Sequence, residues 1–175
     1  MWLWLLVKSL FGYWRKMKES QKESLEIEPT ELRVWMIGHA TVLINFYGFV
    51  ILTDPAFTSF LPPKRITKPG YTIDELPNID LLLVSHAHLD HWQPKDVQKL
   101  KSKVRHIVIP HNCADRLPRQ HDMHVHELTW NDHLDIDGLS IQTFKPKHWG
   151  ELTPWSNKNR GYNSYLLEKD GLKIF

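Results

Sequence analysis

From Leu32 onward, apolar and polar positions alternate in short runs with the two-residue period of β-strands. Leu32-Arg33-Val34-Trp35-Met36-Ile37 alternates, Gly38-His39-Ala40 breaks the run, and Thr41-Val42-Leu43-Ile44-Asn45-Phe46 resumes it. Tyr47-Gly48 suits a hairpin turn, Phe49-Val50-Ile51-Leu52-Thr53 reads as the return strand, and Asp54-Pro55 ends it. Residues 56–72, which include Pro62, Pro63, Pro69 and Gly70, have no periodicity and predict a loop. The continuous apolar run Leu81-Leu82-Leu83-Val84 predicts a buried strand. Pro94 opens a predicted helix over 94–102, with Asp96 in its first turn and lysines toward its end. A strand at 105–109 stopped by Pro110 follows, then a short helix over 113–117. Further strands are predicted at 123–128, 132–136, 139–144, 163–167 and 172–175. This order predicts a strand-rich α/β chain whose functional residues sit on loops at strand ends.

The first eighteen residues fit neither period. Residues 2–7 are continuously apolar, and Leu10, Phe11, Tyr13 and Trp14 follow among Lys8, Arg15, Lys16 and Lys18. A bilayer span takes about 20 apolar residues, so this run is too short to cross. No basic segment precedes it and no small-residue cleavage site follows, which fits a secretory signal poorly. Aromatics and leucines beside lysines fit a helix lying in the membrane interface. A helix packed on the domain, or a disordered tail, fits as well. Residues 1–18 are therefore read as an N-terminal helix and potential interfacial anchor, 19–30 as a solvated linker, and 31–175 as the folded domain.

Size and charge narrow the classes. A chain of 175 residues suffices for one domain with a substantial core and is short for two. Its 42% hydrophobic and 24% charged content is that of a globular protein. A net charge of +2 gives no electrostatic case for nucleic-acid binding. Cys113 stands alone, so no internal disulfide framework exists.

The candidate chemistry lies in His86-Ala87-His88-Leu89-Asp90-His91, directly after the 81–84 strand. Side chains two apart on extended backbone point the same way, so His86 and His88 can grip one ion. Asp90 and His91 leave that register and can face a second. Imidazole nitrogen with carboxylate oxygen suits zinc, and also iron or manganese.

That motif, before Trp92, resembles the signature of the metallo-β-lactamase superfamily. Gly38-His39-Ala40-Thr41-Val42-Leu43, Leu52-Thr53-Asp54-Pro55 and Pro146-Lys147-His148-Trp149 are similar to the branch holding N-acylphosphatidylethanolamine-hydrolysing phospholipase D and related lactonase-like hydrolases. The resemblance implies an αββα sandwich, of which this chain would be the N-terminal half to two-thirds. It implies that His86, His88 and His148 hold a first metal and that Asp90 and His91 contribute to a second. Asp90 would also orient the attacking water or accept its proton, and Asp54 would support the metal loop from behind. His39 lies at a strand break near this site and is not read as a ligand. His106, His111, His121, His124, His126 and His133 match no ligand position.

The family pattern also includes a bridging aspartate after the strand that follows the third histidine, and a later histidine. This chain reaches Phe175 without either, so it is expected to be C-terminally truncated, to bind at most one ion, and to be weakly active or inactive. The implied reaction is metal-dependent hydrolysis of a phosphodiester, as in an N-acylphosphatidylethanolamine-like phospholipid, or of an ester or lactone. The implied cofactor is zinc, with manganese or iron as alternatives. A small-molecule or lipid substrate is expected, no nucleic acid, peripheral membrane contact through residues 2–14, and a complementing chain or oligomer. The expected location is cytoplasmic, at or near a membrane. Competing readings are a non-catalytic metal-binding fragment and a metal-dependent nuclease, the latter disfavoured by the near-neutral charge. Oxygen-reducing di-iron relatives carry an acid at the second histidine, and His88 argues against them.

Overall fold

The architecture follows from the period-two pattern and from where the turns fall. In a computed structural model, residues 22–58, 68–153, 156 and 158–175 are described. Strands β1 (Leu32–Gly38), β2 (Thr41–Phe46) and β3 (Phe49–Thr53) form an antiparallel meander. The second hairpin turns on Tyr47 (φ 52°) and Gly48 (φ 83°), the left-handed pair that a two-residue turn between twisted strands requires. Asn45 Oδ1 accepts from Gly48 N at 2.8 Å and closes it. Strands β4 (Ile79–Leu83), β5 (Val104–Pro110) and β6 (His124–Leu128) add in parallel, giving one six-stranded sheet in sequential order. Parallel neighbours need a crossover, and α1 (Pro94–Leu100) supplies it between β4 and β5. Strands β7 (His133–Ile136), β8 (Leu139–Phe144), β9 (Ser164–Lys169) and β10 (Leu172–Ile174) form a second, antiparallel sheet ordered β10-β9-β8-β7.

Alternate residues of the first sheet serve two cores. Leu82, Ile107 and Ile109 pack with Trp92, Val97 and Leu100 on the helix side. Leu81, Leu83 and Val108 pack with Ile141, Tyr165 and Leu167 between the sheets. The layers run helix, sheet, sheet: a mixed α/β fold corresponding to half of a four-layer αββα sandwich. Leu32, Val34 and Met36 face the inter-sheet side of β1 yet remain 40%, 58% and 66% exposed.

The predicted strands form with small shifts. Strand β4 starts at Ile79, where its N–H donates to Lys103 O at 2.8 Å before the apolar run begins. Helix α1 ends at Leu100 rather than 102, and the segment 113–117 is a single 3-10 turn, Ala114–Arg116. The N-terminal helix expected over 1–18 lies outside the described residues, as do Pro62 and Pro63 of the 56–72 loop. Residues 22–30 contain neither helix nor strand, but Leu25 and Ile27 lie against the helix-side core. No helix among the described residues is long and apolar enough to cross a membrane.

Candidate metal centre

Parallel pairing of β3 with β4 aligns Thr53 with Leu83, so Asp54 and the 85–91 segment leave the sheet side by side. Val84 N still donates to Val108 O at 3.0 Å, after which the chain breaks from the sheet at Ser85 and His86. His91 N and Trp92 N then both donate to His88 O, at 3.0 and 2.7 Å. That tight turn swings Asp90 and His91 away from the pair before them. Trp92, fully buried, anchors its far end. His148 arrives from the loop after β8, 62 residues from His86.

Three imidazoles meet at the first cluster. His86 Nε2 lies 2.9 Å from His88 Nδ1 and 3.0 Å from His148 Nε2. The outer partners decide which nitrogens carry protons. His88 Nε2 faces the Glu151 carbonyl at 2.9 Å, an acceptor, so it bears the hydrogen and leaves Nδ1 as a lone pair. Ser85 Oγ donates to Asp54 Oδ2 at 2.7 Å and so accepts from His86 Nδ1 at 2.9 Å, which leaves His86 Nε2 as a lone pair too. Two lone pairs this close repel each other unless a cation lies between them. The donor chemistry of this cluster therefore fits a metal ion, for which three histidines with one open position form a common set.

The second cluster is His39, Asp90 and His91, whose donor atoms lie within 4.8 Å of one another. His91 Nδ1 donates to Asp54 Oδ2 at 2.8 Å, and its Nε2 lies 3.8 Å from Asp90 Oδ2. His39 Nε2 sits 3.2 Å from that same oxygen. The two clusters abut, with the His86 and His91 rings 4.1 Å apart. Asp54 lies behind both and accepts from Ser85 N at 2.7 Å in addition to Ser85 Oγ and His91. The structure thus brings together all six residues singled out by the sequence: Asp54, His86, His88, Asp90, His91 and His148. It adds His39, whose signal in the sequence was a polar break between two strands at the edge of the site.

Electrostatics separate the clusters. Burial, reinforced by the His91, His88 and His148 imidazoles, pushes His86 down to about 3, so it is neutral at pH 7. Burial lowers His88 as well, against the Glu151 carbonyl. Burial acts in the same sense on His91, but the hydrogen bond and charge of Asp54 outweigh it and raise the imidazole above its ordinary value. For Asp90, burial favours the neutral acid, yet its own backbone N–H and the His91 and His39 rings prevail and lower it.

A two-sheet α/β fold with histidine and aspartate donors gathered at its strand ends defines a class of metal-binding sandwich. Residues 33–175 match the model of the beta-lactamase superfamily domain, and the chain belongs to that family, one of metal-dependent hydrolases. Over 70 residues it is 40% identical to N-acyl-phosphatidylethanolamine-hydrolyzing phospholipase D 1 of Caenorhabditis elegans, covering 37% of this chain and 20% of that one. Over 148 residues it is 29% identical to the mitochondrial N-acyl-phosphatidylethanolamine-hydrolyzing phospholipase D of Saccharomyces cerevisiae, covering 79% and 32% respectively. The chain thus spans a fifth to a third of the length of these two curated relatives. Among solved structures, CmlA, a diiron β-hydroxylase from Streptomyces venezuelae, matches with a TM-score of 0.61 at 21% identity, over 82% of this chain and 28% of its own. That likeness shows the fold, and leaves the metal and the reaction to the site.

Proposed function

We propose that this chain carries the metal-binding half of a hydrolase acting on a phosphodiester, with an N-acylphosphatidylethanolamine-like phospholipid as the substrate class and zinc as the ion. The observation that carries the reading is the convergence of His86, His88 and His148 nitrogens at about 3 Å, with the His86 and His88 tautomers set from outside. His86, His88 and His148 would hold the ion. A bound divalent zinc supplies Lewis acidity and lowers the pKa of a coordinated water from ~15.7 to about 7. Ser85, Glu151 and Asp54 keep the ligand rings oriented and their lone pairs inward. Asp90, ionised and open to solvent, would orient the attacking water or take its proton on Oδ2. Trp149 rests edge-on against His88 at 4.6 Å and stays half exposed, an apolar surface at the site's mouth for an acyl or glyceryl group.

The phospholipid assignment rests on the two named relatives and on the apolar residues 2–14, which would bring the chain to a membrane surface from the cytoplasmic side. An ester or lactone substrate uses the same donors and the same water. The activity of the isolated chain is expected to be weak, and a complementing chain or oligomer would raise it. The test is incubation of the zinc-loaded chain with vesicles containing N-acylphosphatidylethanolamine, with phosphatidic acid release read by mass spectrometry. Release that His86→Ala abolishes supports the reading. Zinc binding without release from phospholipid, ester or lactone substrates would instead make the chain a non-catalytic metal-binding fragment.

A further inference from the structure

We infer that His106, His124 and His126, on strands β5 and β6, form a separate binding site for a transition-metal dication, copper(II) above all. Neither Asp54 nor the 85–91 loop takes part in it.

Strand periodicity places the three side chains together. His124-Val125-His126 puts two imidazoles two residues apart on β6, and side chains at that spacing share a face of the sheet. Parallel pairing sets His106 of β5 against His124, and Val108 against His126, so all three rings stand on the Val108 face. His106 is level with Leu81 of β4, whereas the 85–91 loop leaves the sheet beyond Leu83. The cluster therefore sits apart from the first centre, lower on the sheet and farther toward its rim. Strand β6 ends the strand order of that sheet, His124 is exposed, and His106 and His126 are half-buried. An ion reaches the rings directly from solvent.

The ring geometry fits a chelate. His106 Nδ1 lies 3.1 Å from His126 Nε2, with the two rings inclined by 27°. At a metal–nitrogen distance of ~2.0 Å, neighbouring nitrogens stand about 2.8 Å apart in a square plane and about 3.3 Å apart in a tetrahedron. The observed separation falls between the two, so an ion can replace the hydrogen bond with little movement of either ring. The far nitrogens, His106 Nε2 and His126 Nδ1, make no hydrogen bond among the described residues, and either can carry its ring's hydrogen. The His124 ring stacks on His106 at 5.0 Å and 29°. Its side chain has no hydrogen bond or ion pair among the described residues, so turning it inward as a third donor breaks none. Beside the cluster, Arg105 is held by Asp137 and by Asp80 Oδ1 at 3.5 Å, two carboxylates that offset its charge. A set of imidazoles without thiolate suits copper, nickel and zinc, and copper(II) binds nitrogen donors most tightly of these dications. Zinc takes the same donors more weakly and leaves on dialysis.

The test is copper(II) titration of the full chain followed by electron paramagnetic resonance, with bound copper counted by elemental analysis after gel filtration. The proteins compared are wild type, His126→Ala, His124→Ala and His86→Ala, each checked for folding by circular dichroism. His126→Ala should hold one copper fewer than wild type, and His124→Ala should weaken that same ion by at least about tenfold, since losing a ligand costs no less than losing a partner that orients one. His86→Ala should keep this ion, with its hyperfine splitting from imidazole nitrogen. Equal copper content in wild type and folded His126→Ala overturns the inference. So does a His124→Ala chain that binds every ion as wild type does, a result readable even where His126→Ala fails to fold because His124 is exposed. Loss of all copper from His86→Ala would assign the metal to the first centre and overturn it as well. Absence of zinc from the first centre while this copper remains would count against the proposed hydrolase alone.

Discussion

Asp54 orients both clusters with one carboxylate. It accepts from Ser85 N and Oγ and from His91 Nδ1, fixing the tautomer of His91 directly and that of His86 through the serine. Replacing it by asparagine substitutes an amide that can turn its NH2 toward one of these donors. The expected result is a ten- to hundredfold loss of zinc affinity by calorimetry, the range for removing a partner that orients a ligand. Asp54→Ala also leaves the Ser85 N–H without its acceptor, at a cost of about 1–3 kcal/mol in urea unfolding. An unchanged zinc affinity in Asp54→Asn would show that the rings orient themselves. At this scale the sequence was most legible where the candidate ligands are local: His86, His88, Asp90 and His91 fall within six residues. His148 needed a family resemblance to be found, since no local pattern marks it. His39 was read as lying at a strand break and not as a ligand; the bulge and left-handed turn that bring it beside Asp90 are not encoded in the alternation of residue types.

The elements decide whether distant candidate ligands arrive. The loop from β8 to β9, which carries His148 and Glu151, is tied down by Arg160. Its guanidinium, almost wholly buried, donates to Asp115 Oδ1 and Oδ2 at 2.6 and 2.8 Å and to Asn112 O at 2.9 Å. Arg160→Ala is expected to lower stability by about 2–4 kcal/mol and to weaken zinc binding, read by denaturant melts and calorimetry on the same sample. Loss of stability with full zinc affinity would show that the loop is positioned by other contacts. The 3-10 turn Ile73–Glu75 offers a pH test. The Lys22 ammonium, then the backbone and hydroxyl of Thr72, hold the Glu75 carboxyl at about 2 instead of its ordinary 4.5. A folded-state value below the unfolded one gives stability that is complete above pH 4.5 and disappears as pH falls toward 2. Glu75→Gln should therefore differ from wild type at neutral pH and converge with it in acid, measured as the melting temperature across that window. Asp96 marks where sequence reading stops at this scale. It reads as a helix-start acid, but it also accepts from Phe57 N and Thr58 N at 2.7 and 2.9 Å, partners on an aperiodic loop that no periodicity could locate.

At the scale of the whole molecule, the strand order and α/β class were legible because period-two alternation and short apolar runs bounded by turn residues mark the strands, and Pro94 marks the helix. The division of strands between two sheets was not legible from the alternation, since β7 to β10 read no differently from β1 to β6. What the described residues leave open is the inter-sheet side of β1. Val34 and Met36 stand exposed there, next to Val42 and Ile44 and across a cleft from Ile174 and Phe175. Apolar surface of this kind binds hydrophobic dyes and promotes self-association. Met36→Lys should reduce both, by anilinonaphthalene fluorescence and light scattering, while changing stability by no more than about 0.5 kcal/mol. Undiminished dye binding would place the sticky surface elsewhere.

The central claim is that His86, His88 and His148 form a metal site oriented from outside by Ser85, Asp54 and Glu151. Zinc retained by the purified, folded chain after dialysis, counted by elemental analysis beside His86→Ala and His148→Ala, tests it most directly. The expected result is zinc bound by wild type and lost from both variants with their circular dichroism unchanged. Zinc content equal in all three proteins, or absent from folded wild type, would contradict it.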